Sequence, residues 1–140
     1  HIEGPDARGV DPSFIYNPAY FKVTKAVSYP IKLVTDSNHK TRDILVVSGL
    51  FAGEPLSVLV NHWPSRLGGQ LESEPRRLIA AAIARRIIDD ILAKDSTARI
   101  IVLGDFNDEP FDRSISEVLP YDQIVRPIGS DRGILLLIGP

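Results

Sequence analysis

Cysteine is missing from all 140 residues of the sequence. Disulfides, thiolate catalysis and cysteine-held metals are therefore excluded. Methionine is missing too, and the chain opens on His1 before a turn-like Gly4-Pro5-Asp6. The expectation is an excised or processed piece of a longer protein. A long hydrophobic run is also lacking. Ile134-Leu135-Leu136-Leu137-Ile138 is far too short to cross a bilayer, and no targeting segment is visible. Charge of one sign is scarce: the net charge is -2 and the pI is near 5.9. That is not the basic footprint of a protein that reads nucleic acid by neutralising phosphates. A few local arginines still suffice for a phosphate-processing site. What is present is an ordinary globular composition, 44% apolar. It predicts one domain over residues 1–140 with a sizeable core.

Hydrophobic period predicts the elements. Residues 9–17 read as a short strand, and residues 20–28 alternate as a half-buried strand does. Asp36 to Lys40 reads as a loop tip. Residues 43–50 and 56–62 are strands joined at Gly53-Glu54-Pro55, an antiparallel hairpin. A long helix follows, with Ser73 as its cap and Pro75 in its first turn. Its apolar face is Ala80, Ile83, Ala84, Ile87, Ile88, Ile91 and Leu92, with Arg85, Arg86, Asp89 and Asp90 opposite. Arg99 to Leu103 reads as a strand buried on both faces. Ser114 to Leu119 is a short helix, and the C-terminal apolar run is a strand or a stretch without its partner. The fold class is α/β, a mixed sheet with one long helix between strands. Parallel strands on either side of that helix would end at one sheet edge, where ligands of open α/β sheets bind.

Two polar segments meet at that predicted edge. In Gly104-Asp105-Phe106-Asn107, Asp105 and Asn107 are two apart beyond a buried strand. Extended geometry points both the same way. A carboxylate so placed can hold magnesium or activate water. Both are also common turn residues, and a turn without chemistry is the competing reading. A calcium loop fails, because its sixth position is Pro110 and its twelfth is Ser116. His62 ends a strand ahead of Trp63-Pro64, where it can donate to a phosphate or protonate a leaving group. A strand-capping histidine is the alternative. His1 and His39 read as terminal and loop residues. Arg8, Arg42 and Arg66 are candidate phosphate ligands. Arg76, Arg77, Arg85 and Arg86 read as surface arginines. Gly68-Gly69 lacks the pattern of a phosphate-cradling loop.

Three segments carry a family resemblance: Pro5 to Asp11, Val60 to Arg66, and Ile101 to Pro110. Together they resemble the endonuclease/exonuclease/phosphatase superfamily, and bacterial members of it in particular. The superfamily includes pancreatic deoxyribonuclease, inositol polyphosphate 5-phosphatases and bacterial sphingomyelinases. The resemblance implies a four-layer α/β sandwich and Mg2+ or Mn2+. It implies water attack on a phosphodiester or phosphomonoester. Asp105 matches the aspartate that orients the water, and Asn107 the asparagine that contacts the phosphate or a metal-held water. His62 matches a phosphate-contacting position, and Arg42 an arginine that reaches phosphate. The substrate is a phosphate ester, whether nucleic acid, inositol phosphate or phospholipid headgroup. The family's N-terminal asparagine and metal-binding glutamate have no counterpart here. Neither does its C-terminal Ser-Asp-His type segment, since no histidine follows Asp131. The chain is thus expected to be the central fragment of a hydrolase and inactive alone. Self-association through exposed sheet edges is a further expectation. A non-catalytic binding module that keeps the fold is the alternative.

Overall fold

The computed structural model describes residues 9–33, 41–119, 124–125 and 134–138. Its strands are β1 (Phe21–Tyr29), β2 (Ile44–Phe51), β3 (Glu54–His62), β4 (Ile100–Asp105), β5 (Ile124–Val125) and β6 (Ile134–Ile138). The long helix is α1 (Gln70–Lys94). The strands form one mixed sheet in the order β1-β2-β3-β4-β6-β5. β1, β2 and β3 run antiparallel, β3 and β4 parallel, and β4 and β6 antiparallel. The α/β class and the strand-helix-strand unit therefore stand, and the C-terminal apolar run does find a partner in β4.

Alternation along the strands divides the core by sheet face. Ile44, Val46, Leu59, Ile100 and Val102 pack under the buried stripe of α1, Ala80, Ala81, Ala84, Ile87 and Ile88. Leu45, Val47, Val58 and Val60 form a second cluster with Phe21, and Phe14, Ile101 and Leu103 pack against it. Even β4 alternates, with Ile100 and Val102 buried and Ile101 and Leu103 half-buried.

Three local readings change. Residues 9–17 are not a strand. Pro12 and Pro18 cannot donate to a ladder, and Asn17 builds a turn instead. Its side chain accepts the Ala19 N–H and its carbonyl accepts those of Tyr20 and Phe21. The hairpin turn is Ala52-Gly53, both at positive φ (50° and 91°), as a two-residue hairpin requires. Glu54 and Pro55 belong to β3, where they pair with Phe51 and Leu50. Pro55 is tolerated because pairing with β4 begins only at Ser57. Lastly, α1 starts a turn earlier than Ser73. Gly68 and Gly69, at φ 92° and 118°, swing the chain into the helix, and Pro75 lies inside it. Ser73 is buried in the first turn and donates to the Gly69 carbonyl at 2.6 Å. The short C-terminal helix is a single π-helical turn, Ser114–Val118.

Candidate active site

The last rung between β3 and β4 pairs His62 with Asp105. Both side chains fall on the sheet face opposite α1, in step with Val60 and Leu103. His62 Nε2 lies 3.9 Å from Asp105 Oδ2, and the two side chains are 33% and 48% exposed. That gap exceeds a hydrogen bond.

Gly104 makes this rung possible. Its φ is 134°, and a Cβ there would run into the Asn61 backbone. Only glycine allows so close an approach of β4 to β3. Beyond it the chain alternates: Asp105 is exposed, Phe106 buried, Asn107 half-buried and Asp108 buried. Phe106 meets Trp63 edge to face, with ring centroids 4.7 Å apart. Trp63 is fully buried, and its Nε1 donates to Asn61 Oδ1 at 3.0 Å. Asn61 in turn donates to the carbonyls of Leu59 and Leu103. This floor holds both strand ends.

Asn107 is locked from three sides. Its backbone N–H donates to Asp105 Oδ1 at 2.9 Å. Its Nδ2 donates to the Trp63 carbonyl at 2.9 Å. Its own carbonyl accepts from Arg66 Nε at 2.7 Å. The backbone sits at φ 51°, a left-handed conformation that asparagine tolerates better than most residues.

The predicted arginines separate. Arg42 is 7% exposed and lies just before β2. β2 begins opposite the end of β3, so the Arg42 backbone lies near the strand ends that carry His62 and Asp105. The Arg66 guanidinium contacts Asp112 Oδ2 at 2.7 Å and Asp108 Oδ1 at 3.3 Å. A phosphate would compete there with two carboxylates. Arg8, His1, His39 and Asp131, and the Asp36–Lys40 loop tip, lie outside the described residues.

Arg77 requires a correction. It is not a surface arginine but fully buried. Its Nε faces Asp108 Oδ1 at 2.6 Å, a charge contact whose angle falls short of a hydrogen bond. Its Nη1 donates to Ser73 Oγ at 2.8 Å and its Nη2 to the Gln70 carbonyl at 3.3 Å. The helical period held the signal, because positions 73, 77, 80, 81 and 84 share one stripe. Asp108, Asp112, Asn61 and Trp63 were also unassigned from sequence, though each supports the site.

The donor set suits a hard cation. Magnesium takes one or two carboxylates, with water and phosphate completing its shell. Asp105 offers an exposed carboxylate at an open edge. Among the described residues no group of three or more His, Cys, Asp or Glu is assembled for a metal.

The model of the Endonuclease/Exonuclease/phosphatase family matches residues 1–127. The chain belongs to that family. Solved structures of similar fold include truncated Caenorhabditis elegans TDP2, at TM-score 0.65 and 18% identity, covering 86% of this chain and 54% of that one. The human Nocturnin catalytic domain with bound sulfate anion matches at TM-score 0.61 and 17% identity, over 86% and 49%. Sphingomyelinase C from Streptomyces griseocarneus matches at 0.62 and 13%, over 84% and 50%. At these identities the likeness establishes the fold. This family member thus spans about half the length of the solved chains it matches. No curated protein matches its sequence. Hydrolase ancestry follows from the family, and no helix among the described residues is long and apolar enough to cross a membrane.

Proposed function

We propose that these residues form the central part of a metal-dependent phosphoesterase site. It would hydrolyse a phosphodiester or phosphomonoester with activated water. The observation that carries this is the His62–Asp105 rung, with Asn107 locked beside it. In this reading Asp105 orients the attacking water and takes its proton. Asn107 contacts the phosphate through the second hydrogen of its Nδ2, the first being given to the Trp63 carbonyl. His62 donates to a phosphate oxygen, and Arg42 adds positive charge at the same edge. Asp105, with Asn107 directly or through water, would hold Mg2+ or Mn2+. The cation supplies charge neutralisation at the phosphate and makes water more acidic. A sulfate, an anion of phosphate shape, is bound in the Nocturnin structure of similar fold, which is in keeping with this reading. Substrate class stays at the level of phosphate ester: nucleic acid, inositol phosphate or phospholipid headgroup.

The test is release of p-nitrophenol from bis(p-nitrophenyl) phosphate with Mg2+. The complete protein is expected to turn over and the 140-residue chain to be inactive or very weak. Robust turnover by the short chain would refute the inactive-fragment part. Phosphate binding without turnover by the complete protein would favour a non-catalytic phosphate-binding module. That no group of three or more metal-ligating side chains is assembled among the described residues is what favours this second reading.

Self-association gains little support from the β1 edge. β1 carries Lys22 and Lys25 and a register shift between Val23 and Lys25, features that discourage strand addition. Exposed Ile15, Tyr20 and Phe51 give association an apolar surface instead. A clean monomer by light scattering at micromolar concentration would argue against it.

A further inference from the structure

We propose that the buried Arg77–Asp108 pair is a positioning device that sets Asp105 and Asn107 against His62. Its catalytic meaning rests on the phosphoesterase reading, but its structural claim does not.

The case begins with alternation. Within Asp105 to Asp108, the second and fourth residues point inward and the first and third outward. Phe106 is anchored by apolar contact with Trp63. Asp108 is anchored by charge, at 1% side-chain exposure. A buried carboxylate is tolerated only when it is paired, so the position of Arg77 dictates where Asp108 sits. Arg77 is itself fixed by α1. Ser73 and the Gln70 carbonyl hold its other two nitrogens. Ser114 Oγ donates to Asp108 Oδ2 at 2.6 Å and closes the site from the far side.

The same anchor reaches the loop after β3. Asp108 Oδ1 lies 3.3 Å from Arg66 Nη2, and Arg66 Nε holds the Asn107 carbonyl. Asp112 Oδ2 takes both Arg66 and the Glu109 N–H. The first turn of α1, the loop after β3 and the loop after β4 are thereby joined through charges under the Asp105–Asn107 turn. An apolar pair would fill the space equally well. It would not hold Asn107 at its left-handed φ through paired charges that end in the Arg66 Nε bond to its carbonyl. Arg77 and Asp108 act on the open edge through Arg66 and Asn107.

The experiment compares the wild-type chain with Arg77→Met/Asp108→Leu, which removes both charges and keeps volume. Amide exchange is followed by NMR at Trp63, Asn107 and Glu109, with Val46 and Leu59 as internal references. Mn2+ binding is read from paramagnetic broadening at His62 and Asp105. The double variant is expected to melt within about 5 °C of wild type, since apolar replacement of a buried pair is often neutral. Its Asn107 and Glu109 amides should exchange about tenfold faster while Val46 and Leu59 do not change. Mn2+ binding should weaken about tenfold. Should the double variant not fold, Asp108→Asn takes its place, and the same local loosening is expected. Arg77→Lys keeps the charge and loses the fork that Ser73 and Gln70 hold, so full exchange protection in it would show that charge alone places Asp108 and overturn the role given to the fork. Unchanged exchange at Asn107 in the double variant would overturn the proposal outright. Wild-type chain that shows no Mn2+ broadening at all would count against the phosphoesterase reading, and the exchange rates would still decide the positioning claim.

Discussion

His62 and Asp105 are 43 positions apart in sequence and one rung apart in space, with Nε2 and Oδ2 separated by 3.9 Å. The long helix between their strands is what brings them together. A strand that ends in histidine runs parallel to a strand that ends in aspartate, and both stop at the same edge. Neither side chain is buried enough to be a packing element.

Asp105→Asn tests the chemistry at that rung. Its carboxylate is half exposed, so the exchange for an isosteric amide should leave the melting temperature nearly unchanged. Surface changes usually stay within about 0.5 kcal/mol. Phosphodiester turnover by the complete protein should fall by roughly 10² to 10⁴, the scale of a lost general base. Stable protein with wild-type turnover would remove Asp105 from the mechanism.

Gly104→Ala tests the close approach of the two strands. A methyl group at φ 134° meets the Asn61 backbone, which cannot yield without breaking the β3–β4 ladder. Backbone strain of about 1–3 kcal/mol is expected, together with the cost of separating the strands. The melting temperature should drop by several degrees at least. A variant as stable as wild type would show that the ladder gives way easily at this rung.

Much of this arrangement was legible in the sequence. The strand-helix-strand unit followed from period, because Leu56 to His62, the long apolar helix stripe and Ile100 to Leu103 each carry a distinct pattern, and the parallel pairing it left conditional is met by β3 and β4. The co-location of His62 and Asp105 followed from that unit. What period could not show was backbone sign and buried charge. Residues 9–17 looked like a strand because Val10, Phe14 and Ile15 are apolar, yet Pro12 within the segment and Pro18 just after it withhold donors. Ser73 looked like a cap because it precedes an acid and a proline. The glycines before it, both at positive φ, had already started the helix. Arg77 looked like surface because arginine usually is. Only its phase on the buried stripe argued otherwise.

Asp95, just beyond α1, offers a pH test away from the site. Its carboxylate is held below the ordinary value of 3.8 by the Thr97 hydroxyl and then by the Thr97 N–H, bonded at 2.7 and 2.9 Å. A depressed folded-state value means that its contribution is present above 3.8 and is lost as pH falls through the lowered value. The group is fully exposed, so the effect is small. NMR titration should place Asp95 below a free aspartate, and Thr97→Val should return it toward 3.8. An unshifted Asp95 in the wild type would contradict the turn.

Trp63→Phe tests whether the floor beneath the site holds its rim. Trp63 is the one tryptophan in the sequence, and four contacts converge on it. Its ring meets Phe106, its Nε1 donates to Asn61, its N–H donates to the Asp105 carbonyl at 2.9 Å, and its carbonyl accepts from Asn107. Phenylalanine preserves the two backbone bonds and most of the apolar contact. It removes the Nε1 donor and leaves Asn61 Oδ1 buried with that partner gone. Such an orphan costs about 1–3 kcal/mol, and the lost volume adds to it. Denaturant unfolding should show a lower midpoint with an unchanged slope, which reports stability rather than compactness. Because the Asp105 and Asn107 bonds run to the Trp63 backbone, turnover at saturating substrate should fall much less than in Asp105→Asn. A Trp63→Phe variant that keeps its stability but loses turnover to the same degree would mean that the indole itself, and not the backbone it supports, positions the reacting groups.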